Sequence, residues 1–425
     1  MKRIAIIIEL KERELSFLSI LKKKLEFNGY NVRLIPQRSF SGTRLLFFKP
    51  DFILINGLRS KYNFIKQILV PKILFKSKII SFYTEQVGKD GGLAKTYDNP
   101  EIFNNVDFHI TWGEKFAEGL INLGINKEKI WILGSFALDL PFFQDVEKSN
   151  NIKNQTALKY GLDKKKKWIL IADNIIRKNK HPELYNKRRD EFNQLIKSIA
   201  QKYSNVEIVF RPHPDTAKGD LPIFIKCFKD YDNIKIISGG HIFLWIKLSK
   251  AMIIWRSTSS VEAWRSGLEI FCYRTSDKES DYWHEDFIPS FDKKEDLISA
   301  LEQLLQNKYV LDSFYDTNRK DYVRDWFYSI DGLSFDRFAA FIKLIDDSTC
   351  KNKICNNYSL YTIFLVYVKE VLAGILSLLN KQYKRYNVKA KEVEIELSYF
   401  STDYQKSNDY SKVEKDNGNY LIQKQ

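Results

Sequence analysis

Short apolar runs alternate along the chain with longer stretches in which apolar and polar residues recur at helical spacing. The runs are rich in Ile, Val and Phe, which favour strands buried on both faces. This alternation predicts a parallel β-sheet that is covered by helices. Six runs occupy the first part of the chain: RIAIIIE (3–9), YNVRLIP (30–36), DFILING (51–57), KIISFYTE (78–85), VDFHITWG (106–113) and KIWILGS (129–135).

A second series of the same kind follows a polar segment rich in Lys and Asn at about 144–167, which we interpret as an interdomain connection. A helix is expected over about 183–202 within this series. The pattern therefore predicts an α/β protein with two doubly wound domains that face each other across a cleft. The runs of the second series are WILIAD (168–173), VEIVFRPHP (206–214), IKIISGG (234–240), AMIIWRSTSS (251–260) and LEIFCYR (268–274).

The pattern changes after about residue 345, and we predict five segments in all. These are an N-terminal domain (1–145), a linker (146–166), a C-terminal domain (167–345), an apolar and basic helical extension (346–400) and a tail that is expected to be disordered (401–425).

The helical extension contains SLYTIFLVYVKEVLAGILSLL (359–379), which is nearly long enough to span a membrane. Lys369 and Glu370 lie in its middle, where charges are costly, so we predict that it does not span. The basic and aromatic KQYKRYNVKAK (381–391) follows, and the combination suits a membrane interface with anionic lipid. A helix that packs back on the domains explains the apolar residues equally well, and both alternatives stay open at this point.

Composition adds a few limits. The 425 residues are 44% hydrophobic, which is enough for two ordinary cores. The net charge of +15 comes mostly from scattered Lys, and the core domains lack a basic stripe with interleaved aromatics, so no nucleic-acid partner is expected. The N-terminal apolar run stops at Glu9 without a cleavage site, which predicts a cytoplasmic protein.

Four cysteines are too few and too scattered for a disulfide framework, which fits a reducing compartment. Cys350 and Cys355 lie close together, but no second Cys or His pair has zinc spacing. We expect free thiols and no metal site.

The stretch FRPHPD (210–215) places a cation and an imidazole where a buried strand ends. Pro212 and Pro214 fix the backbone around His213, and an imidazole held there can donate to a phosphate oxygen. Arg211 has two interpretations, a phosphate contact or support of the loop. The plainer alternative is that Arg211 and His213 both cap a turn.

The stretch AMIIWRSTSSVEAWRSG (251–267) predicts a buried strand, a turn of small hydroxyl residues and a helix that opens near Ser259. Glu262 lies three positions later, which is the spacing of a capping box. A helix start presents backbone N–H groups to anions, and the hydroxyl groups add donors. Ser-x-x-Glu also caps helices without any ligand. Because both loops follow strands of one sheet, we expect them to hold a phosphate between them. The predicted nucleotide- and phosphate-binding residues are Arg211, His213, Pro214, Ser257, Thr258, Ser259, Ser260 and Glu262.

The stretch FYTEQVGKDGG (82–92) leaves a strand and enters a Gly-rich turn that carries Glu85 and Asp90. Either carboxylate is a candidate for the base that activates an acceptor hydroxyl, or for a nucleophile. The alternative is that Glu85 is a surface turn residue. Glu114, at a predicted helix start, suits the helix dipole better than catalysis.

Together, FRPHPD, STSSVEAWRSGLEIF and ITWGEKFAEGLINLGINKEKIWILGSFALD (110–139) resemble the bacterial surface-carbohydrate biosynthesis proteins. These are similar to capsular Kdo transferases and to bacterial sialyltransferases with acid-acid-Gly, His-Pro and Ser-Ser motifs. The resemblance covers roughly residues 1–310. It implies two Rossmann-like domains of the GT-B type, in which His213, Ser259 and Ser260 bind the CMP part of a CMP-sugar.

Two positions depart from the pattern of that family. Glu85, Gln86, Val87 and Gly88 stand where the family usually has acid-acid-Gly, so one acid is aligned and Asp90 remains a rival. Gly134, Ser135 and Phe136 stand where relatives often show Gly-Asn-Pro.

The leading hypothesis is a cytoplasmic, metal-independent glycosyltransferase without a cofactor. It would move Kdo or another acidic nonulosonate from CMP to a surface polysaccharide such as capsule or lipopolysaccharide, with the N-terminal domain on the acceptor side. Its acceptor could be lipid-linked, with peripheral membrane contact through 359–391. One alternative is a CDP-glycerol or CDP-ribitol phosphotransferase of teichoic-acid assembly. Another is a non-catalytic partner that binds a glycan or a nucleotide.

Overall fold

The computed structural model contains two parallel β-sheets, each in a unit of its own. It describes residues 1–37, 40–57, 60–84, 86, 100–143, 148–175, 182–240, 242–275, 287–347, 359–379, 388–398, 412–416 and 419–423. The first unit comprises residues 1–145 and 323–425, and the second comprises residues 146–322.

The first unit has six parallel strands in the order β2-β1-β3-β4-β5-β6. The strands are β1 Arg3–Ile8, β2 Asn31–Pro36, β3 Phe52–Ile55, β4 Lys78–Ser81, β5 Phe108–Thr111 and β6 Ile130–Ile132. The helices between and after them are α1 Lys11–Phe27, α2 Ser41–Phe48, α3 Lys61–Phe64, α4 Val70–Phe75, α5 Pro100–Asn104, α6 Glu114–Asn122 and α7 Phe136–Asp139. A π-helical stretch, Ile65–Leu69, joins α3 to α4.

The second unit has six parallel strands in the order β9-β8-β7-β10-β11-β12. The strands are β7 Lys167–Ala172, β8 Val206–Arg211, β9 Ile234–Ile236, β10 Ala251–Ile254, β11 Glu269–Tyr273 and β12 Ser290–Phe291. The helices are α8 Lys148–Tyr160, α9 Pro182–Lys202, α10 Pro214–Phe228, α11 Ile242–Leu248, α12 Ser259–Arg265, α13 Lys294–Leu305 and α14 Ser313–Trp326, of which the last four residues belong to the first unit.

The central strands of both sheets are mostly apolar, as expected for strands covered on both faces, although β1 begins with Arg3 and β7 with Lys167. In β3 and β10 every residue is buried. The predicted fold class of two doubly wound α/β domains is confirmed, and α9 confirms the helix expected over about 183–202.

The segment predicted as a linker is largely a packed helix. α8 belongs to the second unit, and it buries Ile152 and Ala157. Tyr160 at its end meets the Trp245 ring edge-on at 5.1 Å. These few apolar positions within a Lys- and Asn-rich segment are enough to fix the helix on the domain.

Residues 323–345, which we predicted to be part of the C-terminal domain, lie in the first unit. Helix α15 Ser334–Asp347 buries Phe338 and Phe341 there. The Phe341 ring packs against Phe108 at 5.4 Å and against Trp131 at 4.8 Å. The aromatic face of this helix packs against residues of β5 and β6, which are distant from it in the sequence.

The C-terminal extension also belongs to the first unit. Helices α16 Leu360–Leu379 and α17 Ala390–Ser398 pack on it, and α16 lies against α2 and the π-helical stretch. Among the described residues, no helix is both long and apolar enough to cross a membrane.

The tail, predicted to be disordered, contains strands β13 Lys412–Asp416 and β14 Asn419–Gln423. They form an antiparallel hairpin, and Tyr420 of β14 pairs with Trp131 at the edge of β6. An open sheet edge can accept a strand of this kind because it offers unpaired backbone N–H and C=O groups.

Candidate nucleotide-binding site

The second sheet has a topological switch point between β7 and β10. In chain order its strands run 3-2-1-4-5-6, and the connections leave β7 and β10 in opposite directions. In sheets of this kind, ligands bind outside the carboxyl ends of the strands at that point. The loops that follow β7, β8 and β10 are therefore the candidate positions for a ligand-binding site.

His213 lies at this edge, in the loop between β8 and α10. Helix α10 begins at Pro214, and proline suits a first helical position because its missing N–H would have no helical partner there. The His213 side chain is half-buried and lies close enough to Asp173 for its charge to lower the pKa of that carboxyl group. The imidazole thus lies near Asp173, which directly follows β7.

Arg211 has a different environment. Its guanidinium donates to the carbonyl oxygens of Gly239 and Gly240, the second at 2.8 Å, and lies 5.6 Å from the centre of the Trp245 ring. The surrounding protein lowers its pKa to about 10, which leaves it charged at neutral pH. These contacts match the interpretation that Arg211 supports the loop.

Asp173 and Arg189 form a buried ion pair at the same edge, and sequence reasoning missed both. Asp173 directly follows β7, and its Oδ2 lies 2.9 Å from Nη1 of Arg189 on α9. Arg189 also donates to the carbonyl of Ile175 at 2.6 Å. Burial raises the pKa of Asp173, although Arg189, the Ile175 amide and His213 all act in the opposite direction. The signal in the sequence was an acid at the end of an apolar strand, the same signal that singled out His213.

The hydroxyl groups after β10 bond to each other and to their own loop. Ser257 Oγ and Ser259 Oγ are 2.6 Å apart, and Ser260 Oγ donates to the Ser257 carbonyl at 2.7 Å. Ser260 is fully buried, whereas the Thr258 side chain is exposed. Ser257, Thr258 and Ser259 therefore form the accessible part of this loop.

The predicted capping box around Ser259 and Glu262 is not formed. Thr258 occupies the N-cap position in an αR conformation without a side-chain capping bond, and α12 begins at Ser259. Glu262 is consequently the fourth helical residue and lies one position too far along for a capping box. The helix is one residue longer at its start than the hydroxyl pattern suggested, because the serine hydroxyls bond within the loop instead.

Topology brings the His-Pro and Ser-Ser loops to opposite sides of β7. Ala172 at the end of β7 pairs in register with Arg211 of β8 and with Ile254 of β10. Since neighbouring strands lie about 4.8 Å apart, the ends of β8 and β10 are separated by about 10 Å. This separation is large enough for a phosphate group, and Asp173 directly follows β7 between the two loops.

The first sheet has its own switch point, between β1 and β3, and a polar cluster occupies it. Asn56 after β3 donates to Glu9 at 3.0 Å and to Glu14 at 3.1 Å, and it exchanges two hydrogen bonds with Thr84. Arg13 also donates to the Thr84 hydroxyl, at 3.1 Å. Sequence reasoning missed this cluster because its members come from three separate segments.

Glu14 is the most perturbed member of the cluster. Its side chain is fully buried on α1, and burial raises its pKa from an ordinary value of 4.5 to about 7. Arg13, the Glu9 amide and Asn56 lower the pKa but do not outweigh burial, and the Glu9 carboxylate raises it further. The carboxyl group of Glu14, which changes charge near neutral pH, thus accepts a hydrogen bond from Asn56, and Asn56 also binds Thr84.

The predicted catalytic carboxylates, Glu85 and Asp90, lie outside the described residues. Their described neighbour Gln86 is fully buried. Its amide accepts from the Trp112 N–H at 2.7 Å and donates to the carbonyls of Tyr83 and Ile110. A carboxylate could not make both kinds of bond, because an ionised carboxylate only accepts.

The loop of Gly134 and Ser135 is also built for packing. Gly134 has a φ of +88°, and a Cβ there would lie 2.9 Å from Nη2 of Arg337. Ser135 is the N-cap of α7, where its hydroxyl oxygen accepts from the Leu138 N–H at 3.5 Å.

Within the described ranges, no group of three or more His, Cys, Asp or Glu side chains is arranged to hold a metal ion. Cys227 and Cys272 are not in disulfide bonds, whereas Cys350 and Cys355 lie outside these ranges.

Comparison with known proteins places the fold. No protein-family model matches the chain, and a search of curated proteins found no match. MnaA from S. aureus, solved with UDP, is 14% identical with a TM-score of 0.55, and the alignment covers 84% of this chain and 100% of MnaA. UDP-GlcNAc 2-epimerase from Methanocaldococcus jannaschii, solved with UDP-GlcNAc and UDP, is 15% identical with a TM-score of 0.55, over 80% of this chain and 99% of the epimerase. The wall teichoic acid polymerase TagF, soaked with CDPG, is 13% identical with a TM-score of 0.58, over 81% of this chain and 88% of that chain.

At these identities the likeness shows the fold alone. The chain has the two-domain α/β architecture called GT-B, which it shares with enzymes solved with nucleotides and nucleotide sugars.

Proposed function

We propose that the protein is a GT-B glycosyltransferase that moves a sugar from a nucleotide donor to a growing bacterial surface polysaccharide. One observation carries the proposal. The His213 loop and the Ser257–Ser260 loop follow the two strands that flank β7 at the switch point of the second sheet. Hydrogen-bond donors from two loops at that place suit the negative charge of a nucleotide leaving group.

The donor that we propose is a CMP-activated acidic sugar, Kdo or another nonulosonate. This finer assignment is supported by the resemblance of the His-Pro and Ser-Ser motifs to those of capsular Kdo transferases and bacterial sialyltransferases. The likeness to nucleotide-sugar enzymes supports the broader class of donor.

The reaction then proceeds as follows. The bond between the anomeric carbon and the phosphate oxygen breaks, and CMP leaves with the electron pair. His213 and the accessible hydroxyls of Ser257, Thr258 and Ser259 donate to the phosphate oxygens as charge develops on them. Arg211 and Pro214 hold the His213 loop in place, and no metal ion or cofactor is required.

The acceptor hydroxyl attacks the anomeric carbon and loses its proton to a carboxylate. Glu85 and Asp90 are our candidates for that base. Thr84 precedes Glu85 in the chain and is fixed at the switch point of the first sheet by Asn56 and Arg13. The Glu9, Glu14 and Asn56 cluster would thus position the strand end from which the catalytic loop departs.

The direct test is nucleotide release from candidate donors in the presence of acceptor glycans. We expect CMP release with a CMP-sugar, and we expect His213→Ala to lower kcat/KM by about 100-fold, the usual loss when one donor to the developing charge is removed. His213→Gln, which keeps a hydrogen-bond donor, should lose less. Ser198→Ala on α9 serves as the control and should match the wild type. A His213→Ala protein with unchanged CMP release would remove the proposed site.

A second candidate is a phosphotransferase of teichoic-acid assembly that uses CDP-glycerol or CDP-ribitol. The likeness to TagF, solved after a CDPG soak, favours it. Analysis of the product separates the two candidates, because phosphorus enters the polymer in a phosphotransferase reaction and not in glycosyl transfer from a CMP-sugar. A protein that binds nucleotide and yields neither product would be the non-catalytic partner.

We also propose that the enzyme acts in the cytoplasm on a lipid-linked acceptor, with peripheral membrane contact through residues 359–391. This is supported by the apolar and basic sequence of that segment.

A further inference from the structure

The outward side of α16 is largely apolar, with Lys369 exposed among its apolar residues. The helix turns Ile363, Val366 and Tyr367 toward the core of the first unit. Its other sides expose eight large apolar residues with 38–85% of their surface accessible: Leu360, Tyr361, Phe364, Leu365, Val368, Val371, Leu372 and Ile375. Folded monomers seldom leave an apolar surface of this extent open to water, so it marks a contact with another phase or molecule.

Glu370 fixes which side of the helix faces outward. Its carboxylate accepts from the Gly42 and Thr43 amides, both at 2.9 Å, and lies 3.0 Å from the Lys66 ammonium. Burial raises the pKa of Glu370, but Lys66 and the two amides outweigh it, and the net shift is downward. The ionised carboxylate thus fixes the rotation of α16 about its own axis where it packs on α2.

A cavity with basic walls opens on another side of α2. Its volume is about 400 Å³, and its lining includes four cations, Lys22, Arg33, Arg44 and Lys389, together with apolar side chains such as Phe47 and Val393. No carboxylate is among the described residues that line it. Phe47 is 82% exposed at the rim. A cavity of this kind suits a ligand with a negative head and an apolar stem.

We propose that the outer face of α16 and the cavity beside α2 form one docking surface for a bilayer that contains anionic phospholipid. Helix α2 joins the two parts, since its residues 41–43 bind Glu370 while Arg44 and Phe47 line the cavity. The apolar side chains of α16 enter the membrane interface. The phosphate of a lipid headgroup enters the cavity, and the adjoining methylene groups of that lipid pack against Phe47 and Val393. The purpose of this docking surface rests on the proposed function. An enzyme docked there would reach a lipid-linked acceptor at the bilayer interface.

Charge favours a bilayer over a second copy of this chain. A two-fold interface places the same patch of both subunits together, so it would bring the cavity cations of two copies toward each other. The protein carries a net charge of +15, which adds to that repulsion. An anionic membrane attracts the same cations, and each Lys or Arg near its surface strengthens binding.

Co-sedimentation of the full-length protein with vesicles tests the proposal. We expect binding to vesicles of phosphatidylcholine with phosphatidylglycerol, weaker binding to phosphatidylcholine alone, and loss of the difference at high salt. The variant Phe364→Ser with Leu372→Ser should weaken binding to both kinds of vesicle at least about 10-fold, because each buried apolar side chain contributes about one to two factors of ten. The variant Arg33→Ala with Arg44→Ala should reduce the preference for anionic vesicles roughly 10- to 30-fold.

Matched controls lie in the second unit. Leu158→Ser with Val310→Ser removes two apolar side chains that are 88% and 84% exposed, and Lys164→Ala with Lys165→Ala removes two exposed cations. Both control variants should bind like the wild type, and all variants should keep its thermal unfolding temperature because the altered side chains are on the surface.

Two results would overturn the proposal. One is vesicle binding that the Phe364 and Leu372 substitutions leave unchanged. The other is a dimer in light scattering that these substitutions convert to a monomer, which would assign the surface to a second copy. Both readouts are independent of catalysis, and CMP release with a soluble acceptor reports separately on the proposed transferase activity.

Discussion

Glu14, in the polar cluster of the first unit, has a strongly raised pKa. Its carboxyl group is fully buried among Glu9, Arg13 and Asn56, and burial raises its pKa to about 7. The folded state therefore holds a proton between about pH 4.5 and pH 7 that the unfolded state has released. By linkage, the free energy of unfolding falls as the pH rises through this window.

Glu14→Gln removes this titration and gives a test with a defined sign. Between pH 5 and pH 8 we expect the stability of the variant, relative to wild type, to rise by about 2–3 kcal/mol, because only the wild type must bury a new negative charge. Urea unfolding at the two pH values measures the change. Glu118→Gln on the exposed side of α6 is the control and should show no comparable trend. A stability difference that does not vary with pH would contradict the raised pKa.

At Gly113 the chain packs closely against the segment around Trp326. A Cβ at this position would lie 2.4 Å from the carbonyl carbon and oxygen of Trp326 and 2.7 Å from the Phe327 nitrogen. The neighbouring Tyr328 N–H donates to the Trp112 carbonyl at 2.7 Å, and the Trp112 and Phe327 rings stack at 5.7 Å. Since these close atoms belong to backbone, they cannot turn aside as a side chain would.

Gly113→Ala should therefore lower the free energy of unfolding by about 1–3 kcal/mol, the usual cost of overpacking. Thermal or urea unfolding measures it. Glu114→Ala is the matched control one residue later; it removes a single exposed acid from a helix start and should cost only a few tenths of a kcal/mol. Equal stability of the two variants would show that the segment around Trp326 does not pack against Gly113.

The boundaries between the two units of the molecule do not fall where the pattern of apolar and polar residues changes. After the second unit the chain returns to the first one, where α15 buries three phenylalanines, Phe335, Phe338 and Phe341. Arg337 of the same helix donates to the Leu133 carbonyl at 2.8 Å and pairs with Asp331. The first unit thus needs a segment that follows the second unit in the chain.

Two truncated chains test this division. A chain that ends at Asp347 keeps α15, and we expect it to retain a cooperative unfolding transition for the first unit. A chain that ends at Tyr322 should lose that transition or aggregate, because removal of one buried Phe side chain alone typically costs about 3–5 kcal/mol. Calorimetry and solubility are the measurements. If both chains unfold alike, α15 is not part of the core of the first unit.

The sequence by itself determined the sheets and the places of their loops. Apolar runs such as AMII predict fully buried strands because a strand covered on both faces has no polar positions. His213 and Ser259 were found for the same reason, since polar residues at the end of such a run lie at the carboxyl edge of the sheet. The roles of these residues in transfer remain proposals that the experiments above test.

Tertiary structure decided what depends on contacts between distant segments. The order of the strands puts β7 between β8 and β10, and it brings Asp173 and Arg189 together. It also assembles the Glu14 cluster from three segments, returns α15 to the first unit and locks α16 through Glu370. A local pattern records whether a residue is buried, but it does not record which surface covers it, because many surfaces satisfy the same apolar face.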